Sequence, residues 1–251
     1  MQISALVLAG GIVEESLREK FNVSSKAFIP LNGRMMVEYV LDTLSSISSV
    51  DKIAIAIPGG ELPDELSGKI NFVAPSGKNI IESLKNGISS FDPVPEKILV
   101  VTCDSPLVSR ESIEDFISKC DDASALCYSY VEKNTSVAKF PEVRHTYVKL
   151  KEGFFCGGSL ILVSPSILND TANLLERVTE MRKKPWQVAG LLGFKTITGL
   201  LFGTLSVPRL EAKATELLGE KVQGILSPYP ESAVNVDDIN ELEVIERKYM
   251  L

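Results

Sequence analysis

The chain has 251 residues, 45% of them hydrophobic, enough for one large domain with a buried core. A formal charge of −7 excludes a surface built to neutralise a nucleic-acid backbone, which needs clustered Lys and Arg, so any phosphate handled here is small and locally held. The cysteines, Cys103, Cys120, Cys127 and Cys156, form no CxxC pair; they indicate neither a zinc site nor a disulfide framework, and a reducing cytoplasm is the simplest setting.

In chain order, the first element is an apolar run over Ile3–Leu8, of strand length and closed by Gly10-Gly11, too short for the apolar core of a signal peptide. Further β-rich runs follow at Lys52–Ile57, Ile70–Ala74 and Lys97–Cys103, each continuous rather than alternating, as strands buried on both faces should be. Between them, Val37, Val40, Leu41, Leu44 and Ile47 recur at helical spacing. So do Ile80, Leu84 and Ile88, and then Ile113, Phe116, Ile117 and Cys120, with Ser109 as the N-cap of that third helix. Strand and helix in alternation predict βαβ units and a mostly parallel sheet, whose ligands bind beyond the carboxyl ends of the strands. Gly10-Gly11 and Asp104-Ser105-Pro106 both leave a strand at such an end, so two chemical elements converge on one rim.

Past residue 120 the pattern changes. Ala123–Val131 and Thr146–Lys151 read as strands, "GFFCGGSLILVSP" sets a glycine pair before another apolar run, and a mixed sheet is expected. Residues 165–219 read as a mainly helical insertion within a single domain spanning 1–251. Lys221–Leu226 reads as a returning strand, and Asp238-Ile239-Asn240-Glu241 has the form of a capping box opening the last helix. No run reaches the roughly 18 uninterrupted apolar residues of a membrane span. For the apolar insertion, core or dimer packing comes first, an acceptor lid second, and a membrane-surface contact through "MRKK" and Trp186 third.

Glycines after a first strand permit positive φ and close backbone approach, so that successive N–H groups can face phosphate oxygens. The loop is neither GxGxxG nor GxxxxGKS, which removes the dinucleotide-binding and P-loop fingerprints. Taken singly, the other residues have plainer readings: a turn at Asp104, a helix cap at Asp237, a solvated lysine at Lys26.

Together, "LVLAGG", Lys26, "PLNGRMMVEYVLDTL", "VVTCDSPLV" and "VNVDDINELEVIE" resemble, in order, the MobA-like nucleotidyltransferases, over nearly the whole chain apart from the insertion. The resemblance implies an α/β, Rossmann-like fold of the GT-A type: a three-layer sandwich with a mostly parallel mixed sheet. It implies an enzyme that joins a nucleoside triphosphate to a small phosphorylated acceptor with release of pyrophosphate, and uses Mg²⁺. Leu8, Ala9, Gly10 and Gly11 then match the loop around the triphosphate, Lys26 the lysine that contacts it, and Asp104 and Asp237 the metal-binding pair. Ser76, Gly77 and Asn79 fall where related transferases hold base and ribose, their plainer role being helix capping. Gly157, Gly158 and Ser159 resemble a glycine-containing acceptor loop, against a plainer role in strand-edge geometry. Arg144 and His145 could touch an acceptor phosphate, although a surface role is the first expectation for both. One departure stands out: the family's GxGxRM continuation is replaced by "GGIVEESLRE", leaving only Arg18 as a stand-in for its arginine.

The chemistry suits that residue set. An acceptor phosphate, with a second pKa of about 6, is largely ionised near neutrality and needs charge stabilisation rather than a strong protein base. A GT-A glycosyltransferase and a catalytically silent nucleotide-sensing protein are the competing readings; Lys26 and the lack of an obvious DxD count against the first, and the altered loop keeps the second open. A homodimer is compatible with the sequence.

Overall fold

The computed structural model describes residues 2–168, 196, 198, 199 and 202–250. An 8-stranded sheet organises it, in the order β10-β7-β9-β6-β1-β4-β5, with β8 paired to β9. The strands are β1 (Ile3–Leu8), β2 (Pro30–Leu31), β3 (Arg34–Met35), β4 (Val50–Ile57), β5 (Phe72–Pro75) and β6 (Ile98–Thr102), then β7 (Leu126–Glu132), β8 (Val148–Leu150), β9 (Gly153–Val163) and β10 (Val222–Ser227). The β2–β3 pair forms a separate small ribbon. The helices are α1 (Glu15–Phe21), α2 (Met36–Ser45), α3 (Ile80–Ser89), α4 (Arg110–Lys119), α5 (Lys133–Lys139), α6 (Val207–Leu218) and α7 (Ile239–Tyr249).

Period-two alternation makes this a three-layer molecule. Along β1, Ile3, Ala5 and Val7 face one core with Val40, Leu41 and Leu44 of α2 and Ile113 and Phe116 of α4. Leu6 and Leu8 face the other, with Ile88 of α3, Phe91 and the Ile167–Leu168 turn. Successive side chains of a strand point to opposite faces, so a strand covered on both sides must be apolar throughout, which is why these strands read as continuous runs.

Strands β6, β1, β4 and β5 run parallel. Strand β9 enters antiparallel between β6 and β7, while β10 is parallel to β7. The expected mixed sheet is therefore present, with its reversal confined to one strand. Ser109 caps α4, accepting from Ser112 N–H as the sequence suggests. The last helix departs slightly from a capping box: Asp238 accepts from the N–H groups of Asn240 and Glu241, but Glu241 reaches back to Asp237 N–H, one residue before the cap. Within the proposed insertion, α6 is helical as expected; most of 165–205, including "MRKK" and Trp186, lies outside the described residues.

A third core closes one end of the sheet. Val13 and Leu17 from the α1 region meet Ile29, Leu31, Phe140 and Val143, and are sealed by Val234, Val236, Leu242 and Ile245. This cluster brings the chain's beginning and end together beside the carboxyl edge of β1 and β6.

Candidate active site

The strand ends supply the site. After β1, Ala9 N–H is held by Ala56 carbonyl at 2.8 Å, and the Ala9 carbonyl accepts from Ser25 Oγ at 2.5 Å. Ser25 also caps the 3₁₀ turn Lys26–Phe28, accepting from Ala27 N–H. One serine thus fixes the start of the lysine segment to the end of the first strand, and Lys26 is buried as a result, with a relative exposure of 7%.

The Lys26 ammonium lies between two carboxylates, 3.0 Å from Asp104 Oδ2 and 2.5 Å from Asp237 Oδ1. Burial alone would pull the lysine pKa down, but attraction and hydrogen bonding from Asp104 and Asp237 outweigh it, and the pKa stands above its ordinary value. Lys26 is therefore a fixed positive charge at neutral pH. The carboxylates differ in setting: the Asp104 side chain is 16% exposed and that of Asp237 is 71% exposed. Asp104 Oδ1 is buried and has no hydrogen-bond partner. A buried carboxylate oxygen without a donor is costly, and a cation is the partner that suits it.

Asp237 reaches Asp104 through an alternating segment. In "AVNVD", Val234 and Val236 enter the third core, which turns Asn235 and Asp237 the other way, toward the rim. Val236 N–H donates to the Asp104 carbonyl at 2.8 Å, locking the two segments in register. Asn235 Oδ1 accepts from Ser105 Oγ at 2.8 Å and Ser159 Oγ at 2.7 Å, so one carboxamide joins the loop after β6, the middle of β9 and the segment of Asp237. Sequence reading gives Ser25 and Asn235 no role and takes Ser105 only as part of the Asp104-Ser105-Pro106 turn, although the apolar alternation around Asn235 is a signal that points to it.

The glycines serve different ends. Neither Gly10 nor Gly11 uses positive φ, contrary to the expected conformational reason for the pair. A Cβ on Gly10 would lie 2.3 Å from Ser76 Cβ, so this glycine is required by the close approach of the β5 loop, whereas a Cβ on Gly11 meets nothing within 4 Å. Gly157 and Gly158 are crowded by the neighbouring strand, a Cβ falling 2.1 Å from Tyr128 Oη and 2.2 Å from Ser129 Oγ respectively. Asn79 caps α3 by accepting from Glu82 N–H, and Gly77 N–H donates to Ser83 Oγ. The polar groups of that loop thus hold the loop itself, leaving Gly10, Gly11 and Ser76 side by side at the strand ends. Arg18, on α1, is exposed and 4.0 Å from Glu15.

On the β9 side of Asp237 is a polar cavity of about 250 Å³, lined by Arg144, His145, Thr146, Gly157, Asn235 and Glu241 among others. His145 Nε2 is buried without a partner, and burial holds the imidazole below its ordinary pKa. His145 is thus part-buried, with one ring nitrogen closed off and unpartnered rather than satisfied at the surface, while Arg144 is exposed as expected.

The four cysteines are free, as their spacing implies, and burial pushes Cys156 up to about 11. Among the described residues, no helix is long and apolar enough to cross a membrane.

Known proteins resemble the chain at three levels. A hypothetical transferase from Thermus thermophilus is 35% identical, with a TM-score of 0.85, over 96% of this chain and all of its own (100%). A 2-C-methyl-D-erythritol 4-phosphate cytidylyltransferase from Clostridium botulinum is 26% identical over 53% of this chain, which spans 60% of that relative's length. The 4-diphosphocytidyl-2C-methyl-D-erythritol synthase of Anaerococcus prevotii shares the fold, at 15% identity and a TM-score of 0.58 over 100% of this chain and 96% of its own. A model of the MobA-like NTP transferase domain matches residues 5–184, and the chain belongs to that family.

Proposed function

We propose that this protein is a Mg²⁺-dependent nucleotidyltransferase that joins a nucleoside triphosphate to a small phosphorylated acceptor and releases pyrophosphate. The observation that carries the reading is the Lys26 ammonium held between Asp104 and Asp237 at the carboxyl edge of β1 and β6, with Asp104 Oδ1 buried and unpartnered. The donor set suits Mg²⁺, which takes one or two carboxylates and completes its shell with water and substrate phosphate. Asp104 and Asp237 would hold it. When bound, it neutralises charge on the phosphate oxygens and on the leaving pyrophosphate.

The chain's own groups supply the rest. The Leu8–Gly11 segment borders the triphosphate, with the N–H groups of Gly10 and Gly11 offered to it while that of Ala9 stays bonded to Ala56, and open space at Gly11 lets phosphate approach the backbone. Lys26 exchanges its carboxylate partners for phosphate oxygens, carrying a full charge because its pKa is raised. Ser76, Gly77 and Asn79 border the nucleoside, and Gly157, Gly158 and Ser159 border the acceptor. An acceptor phosphate oxygen attacks the α-phosphorus, a new P–O bond forms, and the bond to the β-bridging oxygen breaks. No protein base is required, since the acceptor is already ionised.

The cytidylyltransferase relatives make cytidylyl transfer the first case to test. The four NTPs, each with Mg²⁺ and pooled phosphorylated sugars and polyols, are incubated with the protein and pyrophosphate is measured. Release that needs both substrates supports the proposal. Nucleotide binding without turnover across the panel would favour a sensing role instead.

A further inference from the structure

We infer that Cys120 and Cys127 form a redox-active dithiol, a modification site at the amino edge of the sheet that a peroxide converts reversibly to an intrachain disulfide. The site stands apart from the nucleotidyltransferase reading. Leu126, at the start of β7, is paired through Val163 of β9 with Ile98, the first residue of β6, whereas Asp104 follows the last residue of β6, so the dithiol and the catalytic rim occupy opposite ends of the strands.

The fold sets the two side chains side by side. Cys127 is the second residue of β7 and is fully buried in the core beneath α4, while Cys120 is the C-cap of that helix and packs onto the same core. Gln223 of β10 is the direct cross-strand neighbour of Cys127, so both side chains share one face of the sheet. Its carboxamide accepts from Asp121 N–H at 2.8 Å and donates to the Lys119 carbonyl at 3.2 Å, clamping the residues on either side of Cys120. The same Oε1 accepts from Cys127 Sγ at 3.6 Å. One side chain therefore ties the end of α4 to the position of Cys127. Cys120 can donate to the Phe116 carbonyl at 3.2 Å, and its thiol also meets that of Cys127 in a side-chain hydrogen bond.

Burial divides the roles. Cys127 has no exposed surface, whereas Cys120 is half-buried between the exposed Lys119 and Asp121, and is the sulfur that a solute can reach. The first proton leaves the pair easily and the second with difficulty: the hydrogen bond from Cys120, helped by the Lys97 ammonium anchored on the Ser124 carbonyl, holds Cys127 below its ordinary value, and the same bond pushes Cys120 up. Passing the bridging proton across the S–H···S contact puts the thiolate on Cys120. That thiolate attacks hydrogen peroxide: an S–O bond forms, the O–O bond breaks, and the hydroxide expelled takes up the proton the pair had released. Cys127 sulfur then attacks the sulfenic sulfur of Cys120, the S–S bond forms as the S–O bond breaks, and the second hydroxide leaves with the Cys127 proton. Two thiols lose two electrons in all, and one peroxide becomes two waters. Cys103 and Cys156 are both buried, and burial raises the pKa of each, which sets them against oxidation.

Trypsin releases both members of the pair on one peptide, 120–133, because Lys119 precedes Cys120 and the next basic residue is Lys133. A disulfide within it reads as a loss of about 2 Da together with both alkylation sites. The full-length protein, reduced and freed of reductant, is exposed to hydrogen peroxide near neutral pH, alkylated in denaturant and digested for mass spectrometry. The 120–133 peptide should gain its disulfide at least about tenfold faster than Cys103 or Cys156 is oxidised, and dithiothreitol should restore both thiols. Cys127→Ser removes the resolving thiol, so Cys120 should persist as a sulfenic acid that dimedone labels; in Cys120→Ser, the buried Cys127 should stay alkylatable after the same exposure. A wild-type peptide that gains oxygen at Cys120 while Cys127 remains alkylatable would overturn the dithiol. So would a peptide that stays fully reduced, or oxidation of all four cysteines at one rate. The wild-type result decides the matter even where a variant fails to fold.

Discussion

Two glycine pairs stand at the rim, and they have opposite reasons to be there. On the nucleotide side, Gly10 is pressed against Ser76 while Gly11 faces open space. On the acceptor side, Gly157 and Gly158 are both filled in by Tyr128 and Ser129 of the adjacent strand. In the first pair Gly11 alone leaves room for an incoming group, the nucleotide on the proposed reading; in the second, both positions are closed by β7 side chains packed over the β9 backbone, next to Ser159, which donates to Asn235. The charges divide the same way, with a buried lysine between carboxylates on one side and an imidazole whose Nε2 has no hydrogen-bond partner on the other. A local motif therefore marks a rim, but only the packing around it says whether it serves the ligand or the scaffold.

The largest effect that would break this contrast lies at the carboxylates. Asp104→Asn should lower kcat by at least about a hundredfold, near 2.7 kcal/mol in barrier height, because the buried oxygen without a protein partner is the one offered to the cation. Asp237→Asn, at a far more exposed side chain, should cost closer to about tenfold. Steady-state pyrophosphate release at saturating Mg²⁺ measures both; equal losses would show that burial does not rank the two ligands. Lys26→Ala should remove NTP binding and turnover, and also about 2 kcal/mol of stability, since Asp104 then stays largely buried without its counter-charge. For a chain of this size that corresponds to a fall in melting temperature of roughly 4–8 °C.

What could be read from the sequence follows from how local each signal is. Strands β1, β4 and β6 were legible because burial on both faces leaves a continuous apolar run, and α4 because Ser109 and the Ile113–Phe116 spacing are local features. Lys26, Asp104 and Asp237 were marked as a set by the resemblance to the MobA-like family, each alone having a plainer reading, and the fold brings both carboxylates within ion-pair distance of Lys26. The reason for Gly10 was not legible, since it lies in Ser76, 66 positions away and fixed only by β4 pairing with β5. Asn235 was missed for the same cause. Its two hydroxyl partners, Ser105 in the loop after β6 and Ser159 in β9, are far apart in the chain, and nothing in their spacing announces the contact.

The glycines give the intermediate tests. Gly10→Ala forces a methyl to within 2.3 Å of Ser76 Cβ and should cost about 1–3 kcal/mol, read as a lower urea midpoint. Gly11→Ala should melt with wild type yet raise the KM for NTP, because the space it fills belongs to the phosphate. An unchanged KM would assign Gly11 to the loop's own conformation. Within the acceptor pair, Gly158→Ala should destabilise more than Gly157→Ala. Its obstacle, Ser129 Oγ, is buried and bonded to both the carbonyl and the N–H of Leu160, whereas Tyr128 presents the far end of a long, part-exposed side chain.

The smallest effect is in pH, and it separates the two rims by sign. Lys26 has a raised pKa in the fold, so its contribution to stability is complete below its ordinary value of 10.5 and is lost only as pH rises through the folded value. Lys26 accordingly adds no pH dependence to stability as acidification passes through neutrality. His145 runs the other way: burial lowers its pKa from 6.5, so the unfolded chain takes up a proton more readily than the folded one as pH falls below 6.5. Stability should therefore decline from that point down through the folded pKa, and be unaffected above it. Burial is the cause of that shift, and the ring is only part-buried, which keeps the decline modest. Melting temperatures of wild type and His145→Gln, followed from pH 7.5 to 5.5 at fixed ionic strength, isolate the term, because the other titrations are common to both proteins. The wild type should lose more over that interval than His145→Gln. Parallel curves would mean that His145 exchanges freely with solvent, and the acceptor rim would then carry no desolvated charge acceptor to set against the lysine of the nucleotide rim.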